Sequence, residues 1–135
     1  MSKNIAIVCG SFHKKEVSTM LEEAKKTASL NGLIVIEEVW VDGSYETPLA
    51  VKRLLQKENI DAVVTLGIIE RGETKHGMVM GITVMQTILN LELEFMKPIG
   101  VGILGPEILP SQIPSRLLPG AQKAVMAVAS MLQTN

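Results

Sequence analysis

The amino-acid sequence predicts an α/β domain in three layers, αβα, built on a parallel sheet, and three observations carry that reading. Four short runs, Ile5–Cys9, Leu33–Val41, Ala62–Ile69 and Ile99–Leu104, are nearly continuous in apolar and β-branched residues, the pattern of strands covered on both faces. Segments with helical spacing separate the runs, so strands and helices alternate as in βαβ units. The chain has 135 residues, long enough for one genuine core. No repeat or low-complexity linker divides it, so residues 1–135 are expected to form a single domain with right-handed crossovers.

The elements follow in order. After the first run, Lys14–Asn31 carries Val17, Met20, Leu21, Ala24 and Ala28 on one helical face, with its lysines and glutamates mostly outside that face. Asn31-Gly32 supplies the stop. The second run leads to a helix at about 45–57, where Pro48 is tolerated in the first turn. The third leads to a helix at about 74–96, and the fourth to the proline-rich "GPEILPSQIPSRLLPG", a loop with at most short helical turns. A last helix follows Gly120.

The helix at 74–96 is unusual because Val79, Ile82, Leu89, Leu93 and their apolar neighbours cover well over one face. One sheet cannot bury all of that, so part of this helix is expected to pack on a neighbouring subunit. The alternative is that the C-terminal helix covers the second face.

Composition excludes several classes. Thirteen basic against fourteen acidic residues leave a net charge of −1, which gives no overall electrostatic reason to bind nucleic acid or an anionic membrane. The longest apolar window, Met78–Met96, is interrupted by Gln86, Asn90, Glu92 and Glu94, against a membrane span. Cys9 is the single cysteine, so no intrachain disulfide or cysteine-rich zinc site is expected. Met1–Asn4 runs directly into apolar sequence without a signal-peptide pattern. A cytoplasmic setting is the expectation.

In a parallel sheet the loops after the strands collect at one edge, where ligands bind. Here they are "CGSFHKK", "VDGSYETP", "IERGETKH" and "LGPE". Gly72-Glu73-Thr74 stands where a helix begins, so free backbone N–H groups and the positive helix end make an anion site there. Thr74 as an ordinary N-cap and Glu73 as an ordinary first-turn acid are the plainer alternative. His76 falls in the same first turn, where a neutral imidazole is favoured and suits general acid/base chemistry, unless it is a solvated surface histidine. Phe12, at a loop tip, is placed to stack on a heteroaromatic ring or to plug a core edge.

Three stretches then carry a family resemblance. "GSYETPLAVKRLL", "DAVVTLGIIERGETKH" and "KPIGVGIL" resemble the matching blocks of the lumazine synthase family, its archaeal members in particular, over nearly the whole chain. The resemblance implies a flavodoxin-like four-stranded parallel sheet, assembly into homopentamers, and active sites between adjacent subunits. It implies condensation of 5-amino-6-(D-ribitylamino)uracil with 3,4-dihydroxy-2-butanone 4-phosphate to 6,7-dimethyl-8-ribityllumazine, in riboflavin biosynthesis, with no metal and no organic cofactor. By position, Phe12 matches the aromatic that stacks on the pyrimidine, Ser44, Tyr45 and Glu46 the ribityl-binding segment, and Ile68 and Ile69 the pyrimidine pocket. Val101, in the last strand, joins them as a substrate-binding candidate. Gly72, Glu73 and Thr74 match the phosphate-side loop and His76 the proton-transfer histidine. "QIPSR" makes Arg116 the candidate phosphate arginine, with Lys123 the lysine beyond it, both from a neighbouring subunit.

The chain departs from the family pattern at His13, where asparagine is usual, at Asp42, where proline is usual, and at Gly77 and Met78, where an acidic residue usually follows the histidine. A carboxylate orienting His76 is therefore expected from elsewhere, Glu73 being the candidate. Two rival readings are an archaeal-type riboflavin synthase and a non-catalytic flavin- or lumazine-binding assembly protein. A third, a nucleophilic Cys9–His76 pair, requires an accessible thiolate.

Overall fold

Residues 3–134, described by a computed structural model, run β1 (Lys3–Gly10), α1 (Lys14–Leu30), β2 (Leu33–Val41), α2 (Thr47–Leu55), β3 (Ala62–Glu70), α3 (His76–Phe95), β4 (Ile99–Ile108) and α4 (Leu117–Gln133). Short 3-10 turns occupy Ser44–Glu46, Pro110–Gln112 and Pro114–Arg116. The four strands are parallel, in the order β2-β1-β3-β4. Met1 and Ser2 of the N-terminal segment lie outside the described residues, while Lys3 and Asn4 already pair with Leu33 and Ile34.

The apolar runs of β1 and β3 are continuous because each strand feeds two cores. Ile5, Ile7 and Cys9 pack with α1 and α4, whereas Ala6 and Val8 pack with α2 and α3. β3 repeats the division, with Val64, Leu66 and Ile68 on the first side and Val63 and Ile69 on the second. Each fully buried aliphatic side chain contributes about 1.5–3 kcal/mol, so these strands anchor the domain. Polar ties close the layers: Lys97 Nζ donates to the carbonyls of Leu55 (2.9 Å) and Lys57 (3.0 Å) at the end of α2. Glu92 accepts from the Ile99 N–H at 2.7 Å, fixing the step from α3 into β4.

Several boundaries differ from the sequence expectation. α3 starts at His76, two residues late, because Thr74 turns its hydroxyl back to accept from the His76 N–H at 3.3 Å. β4 continues to Ile108, past the Gly105-Pro106 pair, because a register shift lets Glu70 pair with Ile108 and the Arg71 N–H reach the Ile108 carbonyl at 2.8 Å. α4 starts at Leu117, before Gly120, since Pro119 falls in the first turn, where a missing N–H is no loss. The helix expected at 45–57 is a 3-10 turn followed by α2.

α4 lies with α1 on the face opposite α3, so it does not cover the second apolar face of α3. Val79, Ile82, Leu89 and Leu93 stay 50–71 % exposed.

The seat of α4 on β4 is narrow. A Cβ on Gly100 would stand 2.1 Å from the Ala124 carbonyl oxygen, a backbone atom that cannot yield without moving the helix. Gly100→Ala is expected to cost about 1–3 kcal/mol in urea unfolding. Gly72→Ala, with open space around the new Cβ, is expected to stay within about 0.5 kcal/mol of the native chain.

Candidate active site

The chain leaves β1 for β2 on one side and β3 for β4 on the other, and β1 and β3 are neighbours. Their carboxyl ends therefore open a crevice at the point where the strand order reverses, the usual ligand site of such sheets. A cavity of about 370 Å³ occupies it.

Each wall comes from a strand end. Phe12, 62 % exposed, projects from the loop after β1. Ser44, Tyr45 and Glu46 come from the 3-10 turn after β2, and Ile68 and Ile69 from the last residues of β3. Gly72, Thr74 and His76 come from the turn into α3. Nine sequence candidates thus share one cavity, drawn from segments distant in the chain.

The other four lie elsewhere in the protomer. Glu73 lines an adjoining cavity of about 190 Å³ with Arg71, Lys75 and Glu107, so it does not orient His76 as expected. Val101 sits near the start of β4 opposite Thr65, half-buried against the α2 and α3 core, well short of the strand's carboxyl end. Arg116 lines a different cavity, and its Nη1 donates to the Gln112 carbonyl at 3.1 Å. Lys123 is exposed on α4.

Asp42, Gly43, Glu70, Gly77 and Met80 complete the lining; none was a site candidate, although Asp42 and Gly77 stood out as departures from the family pattern. Met80 was within reach of sequence reasoning, because i and i+4 share a helix face and it stands four residues after His76. Gly77 is there for space: a Cβ would stand 3.2 Å from the Glu70 carbonyl oxygen, so a glycine lets the start of α3 close on the end of β3.

The charge inventory is one-sided. Asp42, Glu46 and Glu70 line the cavity, and neither lysine nor arginine does. The amides of the first turn of α3 have no intrahelical acceptors and bring the positive helix end to the same wall. His76 is exposed, with the Tyr45 ring 6.0 Å away at 65°, and no carboxylate lies within ion-pair reach of its imidazole among the described residues. Its ring is free to meet a ligand.

Behind the Phe12 wall stands His13, in the left-handed region at φ 63, a conformation costing a residue with a Cβ roughly 1–2 kcal/mol. Cys9 is wholly buried, and burial pushes its thiol up to about 12, with Glu38 adding to the rise. A Cys9–His76 nucleophilic pair is therefore ruled out, since the sulfur is neither exposed nor a thiolate near neutrality. Among the described residues no group of three or more acidic, histidine or cysteine side chains is placed to hold a metal ion, and no helix is long and apolar enough to cross a membrane.

A parallel sheet ordered 2-1-3-4, with helices on both faces and a ligand cavity at the reversal, defines an α/β protein of flavodoxin-like type. The comparison with known proteins is narrower. The chain belongs to the 6,7-dimethyl-8-ribityllumazine synthase family, whose model matches residues 2–135. Relatives bearing that name include one from Methanococcus vannielii, 37 % identical over 96 % of this chain and 92 % of the relative. Another, from Methanococcus maripaludis, is 35 % identical over 96 % and 94 %, and one from Metallosphaera sedula is 37 % identical over 96 % and 86 %.

Proposed function

We propose that this cavity makes 6,7-dimethyl-8-ribityllumazine for riboflavin biosynthesis, by condensing 5-amino-6-(D-ribitylamino)uracil with 3,4-dihydroxy-2-butanone 4-phosphate. The reaction is a cofactor-free group transfer in the cytoplasm. The observation that carries it is the meeting of Phe12, Ser44–Glu46, Ile68, Ile69, Gly72, Thr74 and His76 around one space of about 370 Å³.

Phe12 stacks on the pyrimidine, which lies against Ile68 and Ile69, while the Ser44 hydroxyl and Glu46 carboxylate bind the ribityl hydroxyls and Tyr45 flanks them. The phosphate rests on the amides leading into α3, past Gly72 and Thr74, with Glu73 shaping the outer side of that turn. The substrate amine attacks the ketone to give an imine and water, inorganic phosphate then leaves, and ring closure releases a second water. His76 moves the protons in these steps. Holding two reactants together supplies much of the rate.

A phosphate dianion beside Asp42, Glu46 and Glu70 needs a cation that the protomer's own wall lacks. Arg116 of an adjacent copy supplies it, with Lys123 nearby, in a homopentamer whose contacts use the exposed face of α3. Val101 acts from beneath, by packing under the site. Formation of lumazine from the two substrates, followed by mass spectrometry, tests this reading. Riboflavin from lumazine alone would replace it with a riboflavin synthase, and lumazine binding without turnover would leave a binding protein.

Ile82→Asp tests the assembly. Ile82 is 57 % exposed and makes no core contact, so a carboxylate there leaves the protomer folded. In a subunit contact it is unpaired and desolvated, and the variant is expected to scatter light as a smaller species without activity. An unchanged particle mass would remove this face from the interface.

A further inference from the structure

The residue after Phe12 is held in a way that the proposed chemistry does not use. His13 stands at the start of α1, and its side chain caps no backbone group. Its ring instead meets Phe12 edge to face, with centroids 4.7 Å apart at 75°. Nε2 is buried without a hydrogen bond, and the Glu70 carboxylate lies 3.7 Å from it. Glu70 lines the cavity beside Phe12, whereas His13 does not. His13 thus sits behind the wall, linking the end of β3 to the loop after β1.

A buried ring nitrogen seldom lacks a partner, and Glu70 is the acceptor facing this one. At 3.7 Å the contact is an ion-pair separation, longer than a hydrogen bond, and a small closing movement converts one into the other. Phe12 has need of such support. It is 62 % exposed on a loop, and His13 is its aromatic neighbour among the described residues. A side chain so exposed samples several rotamers, and fixing it when a ligand arrives weakens binding by the entropy lost.

The geometry points to Glu70 and His13 as a positioning pair: Glu70, anchored on β3, holds the His13 ring, and His13 holds Phe12 as a ready-made stacking platform for the pyrimidine. The inference rests on the reading of this cavity as the lumazine-forming site. Neither residue is catalytic, since both act through Phe12.

The test is a double-mutant cycle on the full chain, read as the dissociation constant of 6,7-dimethyl-8-ribityllumazine by its fluorescence. Glu70→Ala and His13→Ala are each expected to weaken binding about five- to tenfold, and the double variant no further than either alone. Glu70→Gln keeps an acceptor oxygen and is expected to recover most of the loss. In turnover, the defect should fall on the KM of the pyrimidine and leave that of the butanone phosphate in place. Losses that multiply in the double variant would mean that Glu70 touches the ligand itself, and would overturn the pair.

A second readout needs no ligand. The chain has two phenylalanines and two histidines, so the Phe12 and His13 ring signals can be told apart by NMR from those of Phe95 and His76. Glu70→Ala is expected to move the Phe12 ring signals and Glu70→Gln to restore them. Phe12 signals indifferent to Glu70→Ala would overturn the inference whether or not the native chain binds lumazine. Signals that move in a chain that neither binds nor makes lumazine would count against the proposed function alone.

Discussion

A His76→Ala variant is expected to turn over on the order of 10²–10⁴ times more slowly than the native chain while folding and assembling as it does. The size follows from the demand for protons at imine formation, phosphate departure and ring closure, in a cavity whose other ionisable side chains, Asp42, Tyr45, Glu46 and Glu70, are carboxyls and one phenol. Among side-chain types, imidazole is the one suited to both giving and taking a proton in such steps. The structure also explains why the fold should not suffer. The His76 side chain is exposed, and its tie to Thr74 runs through the backbone N–H, which alanine keeps. Stability should stay within about 0.5 kcal/mol, so lost activity reports on chemistry. Native kcat in His76→Ala, with unchanged pyrimidine KM, would take the histidine out of the reaction.

Much of this was legible in the sequence, for a physical reason. Strands that feed two cores must be apolar on both faces, so β1 and β3 announce themselves as unbroken runs, and Val17, Met20 and Leu21 mark the inner face of α1. The loops after the strands could then be assigned to one edge without coordinates, and seven of the nine cavity candidates come from them, while Ile68 and Ile69 at the end of β3 were named through the family resemblance alone. What stayed hidden depends on partners distant in sequence. The tail of β4 crosses Gly105 and Pro106, which look like a turn, because β3 supplies the pairing. Gly105 carries φ +98, and a Cβ there would meet the Ile69 carbonyl oxygen at 2.1 Å. The His13–Glu70 contact joins the loop after β1 to the end of β3, whose proximity the sheet order creates. Val101 misses the cavity because it lies early in β4, far from the carboxyl end, and Glu73 because neighbours in a turn face different sides.

Arg116→Ala is expected to raise the KM for the butanone phosphate on the order of 100-fold, with a far smaller effect on the pyrimidine, because two charge-assisted hydrogen bonds to the phosphate vanish together. Within one protomer this residue has no business with the Phe12–His76 cavity: it lines another space and donates to Gln112. The effect therefore requires a second copy, and mixing exposes that requirement. His76→Ala and Arg116→Ala chains are each nearly inactive alone at low substrate. When unfolded and reassembled together in equal amounts, a site is whole only where an Arg116→Ala chain gives its histidine and the adjacent His76→Ala chain its arginine. Random placement around a closed ring makes that about one site in four. Recovery near that fraction would place the two residues in different subunits of one site. No recovery, together with a phosphate KM raised by Arg71→Ala, would put the phosphate in the protomer's own outer cavity beside Arg71 and Lys75.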